Sequence, residues 1–271
     1  MNHIFFITHG TLGDAHAHAT FYGMSIQTTT KKFDTLYLYN SHQHEMSNEW
    51  LTQLYQHYDL GRFFNRVAYF PYDPETPKNL AGDIGAIRNF CAREFESTDR
   101  VLLMKSDIVL SKNYFDVILN IPEERHLVYF TAPFINAKAR VSDEEIFKYV
   151  QRERYIPSDD ITFLVENQMG NGTNDFNARA PLSITDKQFL FGSCYVISDF
   201  SCHYISVNLL PDLELHADPK PWGIDAYIRF PKLFPHFIGT DRCFTVHKFH
   251  SVVNDIRAVE REGPSALWWA S

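Results

Sequence analysis

Four consecutive residues, Val101-Leu102-Leu103-Met104, leave a strand no polar face. Such a strand must be covered on both sides, the condition of a parallel sheet flanked by helices. The run stops at Lys105-Ser106-Asp107. A carboxylate at the end of a buried strand is costly unless something pairs with it. In open α/β sheets, ligands bind beyond the carboxyl ends of the strands. Asp107 is therefore the first candidate functional residue. The alternative is a strand-end Asp that caps the next turn.

The preceding hundred residues repeat this strand-and-helix theme. Apolar runs predict strands over 2–9, 33–39, 66–70 and 101–105, and helical spacing predicts helices over 15–28, 47–58 and 80–95. Asp14 is placed to cap the first helix. The alternation predicts an α/β fold with a mostly parallel central sheet and helices on both faces.

The second half is less regular. Strands are expected over 127–130, 189–197 and 242–249, with helices over 143–151, after Asp199 and over 222–230. Residues 156–188 are polar and rich in Gly and Pro, including Gly170-Asn171-Gly172-Thr173-Asn174. So long a loop is expected to be functional, a lid over a ligand. No repeat or linker divides the chain, so 1–271 reads as one domain. Trp268-Trp269 is expected to dock on its body.

The chain has 45% hydrophobic residues, 23 Phe and a net charge of −8. That charge argues against nucleic acid bound through its phosphates. Cys91, Cys194, Cys202 and Cys243 form no CxxC pair or zinc spacing, and all four are expected to be reduced. No apolar run approaches the ~20 residues of a membrane span, and no basic leader precedes Ile4-Phe5-Phe6-Ile7. The expected location is cytoplasmic.

Several segments together resemble a known family. Asp83-Ile84-Gly85-Ala86-Ile87-Arg88-Asn89, then Leu102 to Leu110 with its Lys105-Ser106-Asp107, then Phe191-Gly192-Ser193-Cys194-Tyr195, then Pro221-Trp222-Gly223-Ile224-Asp225 follow one another as in GT-A fold glycosyltransferases of the family 2 type. The resemblance spans most of residues 3–250. It implies a GT-A-like domain, with 1–120 binding the nucleotide-sugar and 121–271 binding the acceptor and carrying catalysis. It departs from the family at two points. Lys105 replaces the first Asp of Asp-X-Asp, and Ile224 replaces the Glu before Asp225.

The resemblance implies a role for each candidate. Asp107 would ligate Mn²⁺ or Mg²⁺ on the donor diphosphate, with His247 or His250 as a further ligand. Lys105 could instead supply that positive charge itself. Period two puts His247 and His250 on opposite faces of a strand, so one of them would reach the site. Thr8, His9 and Gly10 would line the nucleotide pocket, with Asn40 at the base and Asp83, Arg88, Lys105 and Ser106 near the donor. Arg88 could equally pair with a surface carboxylate. Gly192, Ser193, Trp222 and Gly223 would face the acceptor. Asp225 would be the general base, or else the N-cap of a helix over 226–230. His16 and His18, two apart on a helix, read as ordinary, as do His42 and His44.

The function expected is transfer of a sugar, with inversion, from a nucleotide-sugar, UDP-linked, to a hydroxyl acceptor such as a glycan. The Lys105 substitution keeps open a catalytically silent nucleotide-sugar-binding protein. A nucleotidyltransferase would want a basic phosphate loop, and His9-Gly10-Thr11-Leu12-Gly13-Asp14 contains no Lys or Arg.

Overall fold

Strand β1 (Asn2–Thr8) is buried on both faces, and its side chains sort by parity. Ile4 and Phe6 enter one apolar cluster, while Phe5 and Ile7 enter another. The computed structural model describes residues 1–8, 13–40, 48–71, 73, 75–76, 80–123, 128–132, 134–137, 142–153, 195–197, 202–212, 214–217, 226–230, 237–239 and 242–248.

After β1 come α1 (Gly13–Ser25), β2 (Phe33–Asn40), α2 (Asn48–His57), β3 (Phe64–Tyr69), α3 (Leu80–Glu94) and β4 (Arg100–Lys105). All four strands are parallel, in the order β4-β1-β2-β3. After the Ser106-Asp107 turn come β5 (Ile108–Leu110) and α4 (Tyr114–Leu119). Ala17, Phe21 and Met24 of α1, Leu51 and Leu54 of α2, and Phe115 of α4 cover one face. Ile84, Ile87 and Cys91 of α3 cover the other. Each fully buried aliphatic or aromatic side chain contributes about 1.5–3 kcal/mol, so helices on both faces are what an all-apolar strand such as β4 demands. The fold is α/β with a mostly parallel central sheet, as the alternation predicts. Helix α1 begins at Gly13, which puts Asp14 inside it rather than at its cap.

Later strands extend this sheet and form two smaller ones. They are β6 (Tyr129–Thr131), β7 (Phe134–Ala137), β8 (Tyr195–Ile197), β9 (His203–Ser206), β10 (Glu214–Ala217), β11 (Ala226–Phe230), β12 (Phe237–Gly239) and β13 (Thr245–Lys248), with α5 (Asp143–Val150) between β7 and β8. The central sheet runs β12-β6-β9-β4-β1-β2-β3. Strand β9 is antiparallel to both β4 and β6. A second sheet is β10-β11-β8, and a third is β5-β13-β7. Helix α5 carries a full capping box between Ser142 and Glu145 and lays Ile146, Tyr149 and Val150 on Val109 of β5 and Val246 of β13.

Two expected helices are corrected. The described residues after Asp199 form β9 and a 3-10 turn, Val207–Asp212, not an α-helix. Tyr204 and Ile205 fill the gap between β4 and β6 with no exposed surface, and that burial outweighs local propensity. Residues 226–230 form strand β11, hydrogen-bonded on both sides by β10 and β8. The expected helix over 222–230 is absent there, so Asp225 has no such helix to cap. Elements β5, α4, β7, β10 and β12 are too short to leave a periodic signal.

Cys91, Cys202 and Cys243 are buried thiols outside any disulfide. Burial pushes the Cys91 and Cys202 thiols up to about 12, so they stay protonated. Among the described residues, no helix is long and apolar enough to cross a membrane. The expected lid over 156–188, Cys194, His42, His44 and Trp268-Trp269 lie outside the described residues.

Candidate active site at the β1–β4 carboxyl edge

The chain lays down β1, β2 and β3 in one direction across the sheet, then returns to place β4 on the other side of β1. Connections therefore diverge between β1 and β4, and such a switch point opens a crevice beyond the strands' carboxyl ends. Ile7 pairs with Lys105 in register. The Ser106 amide donates to the Ile7 carbonyl at 2.9 Å. The crevice is thus bordered by Thr8 on one side and Lys105-Ser106-Asp107 on the other.

Three further contacts fix this edge. Thr8 pairs in register with Asn40 at the end of β2, and its hydroxyl donates to the Tyr39 carbonyl at 3.1 Å. The buried hydroxyl of Thr20, on α1, donates to the Ser106 carbonyl and so holds the turn from behind. Thr20 was not legible as a site residue. Its signal is one hydroxyl on an otherwise apolar helical face.

Asp107 and Lys105 form an ion pair, Nζ to Oδ2 at 3.4 Å, with their side chains 20% and 7% exposed. Of the described candidates, Asn40, Arg88 and Asp107 keep solvent access, while Thr8, Asp83, Lys105 and Ser106 are enclosed. Asp83 lies in the first turn of α3. That helix follows β3, so its first turn starts on the carboxyl-edge side of the parallel sheet.

Strand β13 brings a distant segment to the same edge. It runs antiparallel to β5, with His247 opposite Ile108, the residue after Asp107. On its other side His247 pairs in register with Asn136 of β7. In backbone register, His247 therefore lies across the ladder from the residue that follows Asp107. His9, Gly10, Gly192, Ser193, Trp222, Gly223, Asp225 and His250 lie outside the described residues. His18 is exposed and set edge-on to Trp50.

Among the described residues, no group of three or more His, Cys, Asp or Glu side chains gathers into a metal cluster. Mg²⁺ and Mn²⁺ need few protein ligands when a substrate phosphate supplies the rest. Asp107 fits that use: its carboxylate already holds a cation, the Lys105 ammonium, at the open edge of the sheet.

No protein-family model matches the sequence, and no curated protein matches it either. Among solved structures, S. aureus TarS overlaps 52% of this chain at 12% identity, with a TM-score of 0.36. TarS 1-349 in complex with UDP-GlcNAc gives 13% identity over the same share, also at a TM-score of 0.36. The chain spans 23% of TarS and 37% of that shorter form. Mannose-6-phosphate isomerase from Helicobacter pylori overlaps 93% of this chain and 99% of its own, at 10% identity and a TM-score of 0.34.

Proposed function

We propose that the chain is a nucleotide-sugar-dependent glycosyltransferase that inverts the anomeric centre. One observation carries the reading. Asp107 sits in the turn that follows buried strand β4 at the switch point between β1 and β4, and β13 is threaded beside that turn so that His247 pairs with Ile108 across the ladder.

In this reading the donor diphosphate lies over Thr8 and the Lys105-Ser106-Asp107 turn, within reach of His9 and Gly10. Asn40, half-buried at the end of β2, offers both donor and acceptor atoms to a uracil edge, which suits a UDP-linked donor. Asp107, with His247 or His250, would hold Mn²⁺ or Mg²⁺, and that ion would stabilise charge on the departing nucleoside diphosphate. Asp225 takes the proton of the acceptor hydroxyl as its oxygen attacks opposite the leaving group. Gly192, Ser193, Trp222 and Gly223 line the acceptor side, and a glycan is the acceptor class expected.

The Lys105–Asp107 pair favours one second reading, a nucleotide-sugar-binding protein without turnover, because the ammonium already neutralises the carboxylate. The test is slow hydrolysis of UDP- and GDP-sugars by purified protein, with and without Mn²⁺. Release of nucleoside diphosphate supports the transferase. Donor binding with no release from any donor supports the silent reading.

A further inference from the structure

We infer that Lys105 and a divalent cation compete for the Asp107 carboxylate, so that Lys105 sets the metal affinity and the donor diphosphate relieves the competition. The inference rests on the glycosyltransferase reading.

The pair is compact and largely shielded from water, 3.4 Å from Nζ to Oδ2. A second cation on the same carboxylate would meet the ammonium at close range, and burial leaves that repulsion poorly screened. Metal binding therefore requires the ammonium to move. The backbone of Lys105 is fixed by its pairing with Ile7, but its four-carbon stem carries three donors that can turn together. A diphosphate over the β1–β4 crevice gives the ammonium a stronger anionic partner. Once Lys105 turns to the phosphates, Asp107 is released to the metal. Metal and nucleotide then bind with positive coupling, which is reciprocal by thermodynamic necessity.

The experiment measures Mn²⁺ affinity of the full chain by the electron paramagnetic resonance signal of free Mn²⁺, with no sugar present. K105M and K105Q remove the competing charge, and K105R keeps it. Both neutral variants are expected to bind Mn²⁺ about tenfold or more tightly than wild type, K105R is expected to match wild type, and D107N is expected to abolish binding. UDP is expected to tighten Mn²⁺ binding in wild type by about tenfold and in K105M by much less. Circular dichroism checks folding, and K105Q decides the matter if K105M does not fold. Neutral variants that bind Mn²⁺ no more tightly than wild type, or not at all, overturn the inference. Absence of turnover with this Mn²⁺ pattern intact would count against the transferase reading alone. Turnover with unchanged Mn²⁺ affinity would count against the competition alone.

Discussion

Ser106 hydrogen-bonds through its amide to the carbonyl of Ile7 at 2.9 Å, so the β4–β1 ladder continues past the last residue of β4. The turn that presents Asp107 is therefore part of the sheet's hydrogen-bonded frame. Thr20 secures the same turn from the helix side.

Asp107→Asn tests the role of that turn. It keeps the side chain's size and removes its charge. Donor turnover should become undetectable. Stability should fall by about 1–3 kcal/mol, because the enclosed Lys105 loses a charged partner. Chemical denaturation and a donor-hydrolysis assay read the two effects. A variant with full turnover would remove Asp107 from the site.

Asp225→Asn tests the mechanism. A general base contributes roughly 10²- to 10⁴-fold, so turnover should drop by that much while donor affinity stays within a few fold. Because residues 226–230 form a strand, the capping of a helix there no longer competes as an explanation. Single-turnover rates and donor binding on one preparation decide it. An active Asp225→Asn protein would leave the inverting step without a base.

Gly23→Ala should weaken the scaffold under the site. A Cβ at Gly23 would lie 2.8 Å from the Leu110 backbone nitrogen and 3.0 Å from Val109 Cγ1. Ala gains up to about 1 kcal/mol in helix propensity over Gly, but overpacking against backbone costs about 1–3 kcal/mol. The clash should win, with a net loss of stability and some displacement of β5. A melting temperature equal to or above wild type would show that α1 and β5 separate easily.

His203 should steepen acid unfolding. Burial lowers its pKa to about 3, from 6.5. A histidine held neutral in the fold binds its proton first in the unfolded chain, so its contribution is complete above pH 6.5 and declines as pH falls from there toward 3. Between about pH 6.5 and about pH 5 the loss from this residue is about 2 kcal/mol. Urea denaturation of wild type and His203→Gln at about pH 7.5 and about pH 5 measures it. Equal acid losses in the two proteins would exclude His203 as the source.

Sequence reading succeeded where burial and local pattern agree. The centres of β1 and β4, Ile4 to Ile7 and Val101 to Met104, are continuous apolar runs, and α5 falls where helical spacing puts a helix over 143–151. It failed where the sheet imposes structure on segments with little pattern of their own. The four residues of β9 are strand because β4 and β6 enclose them. Tyr227 and Arg229 alternate with Ala226, Ile228 and Phe230, yet this period of two in β11 is too short to rival the helical reading of 222–230. Within the candidate site, chemistry singled out Asp107, since a carboxylate just past a buried strand needs a partner, and Lys105 is one. Thr20 was not, because its role depends on a carbonyl that only the folded chain brings to it.

The position of β13 dictates when the site can exist during synthesis. Strands β5 and β7 leave the ribosome early, but in the third sheet each pairs only with β13, among the described residues. Until residues 245–248 emerge, the segment just past Asp107 has its helical support from α1 and no ladder. Closing so long a loop is entropically slow. A nascent chain therefore completes its four parallel strands well before it owns a finished carboxyl edge, and any fragment ending upstream of Thr245 would hold those strands without the one that braces β5.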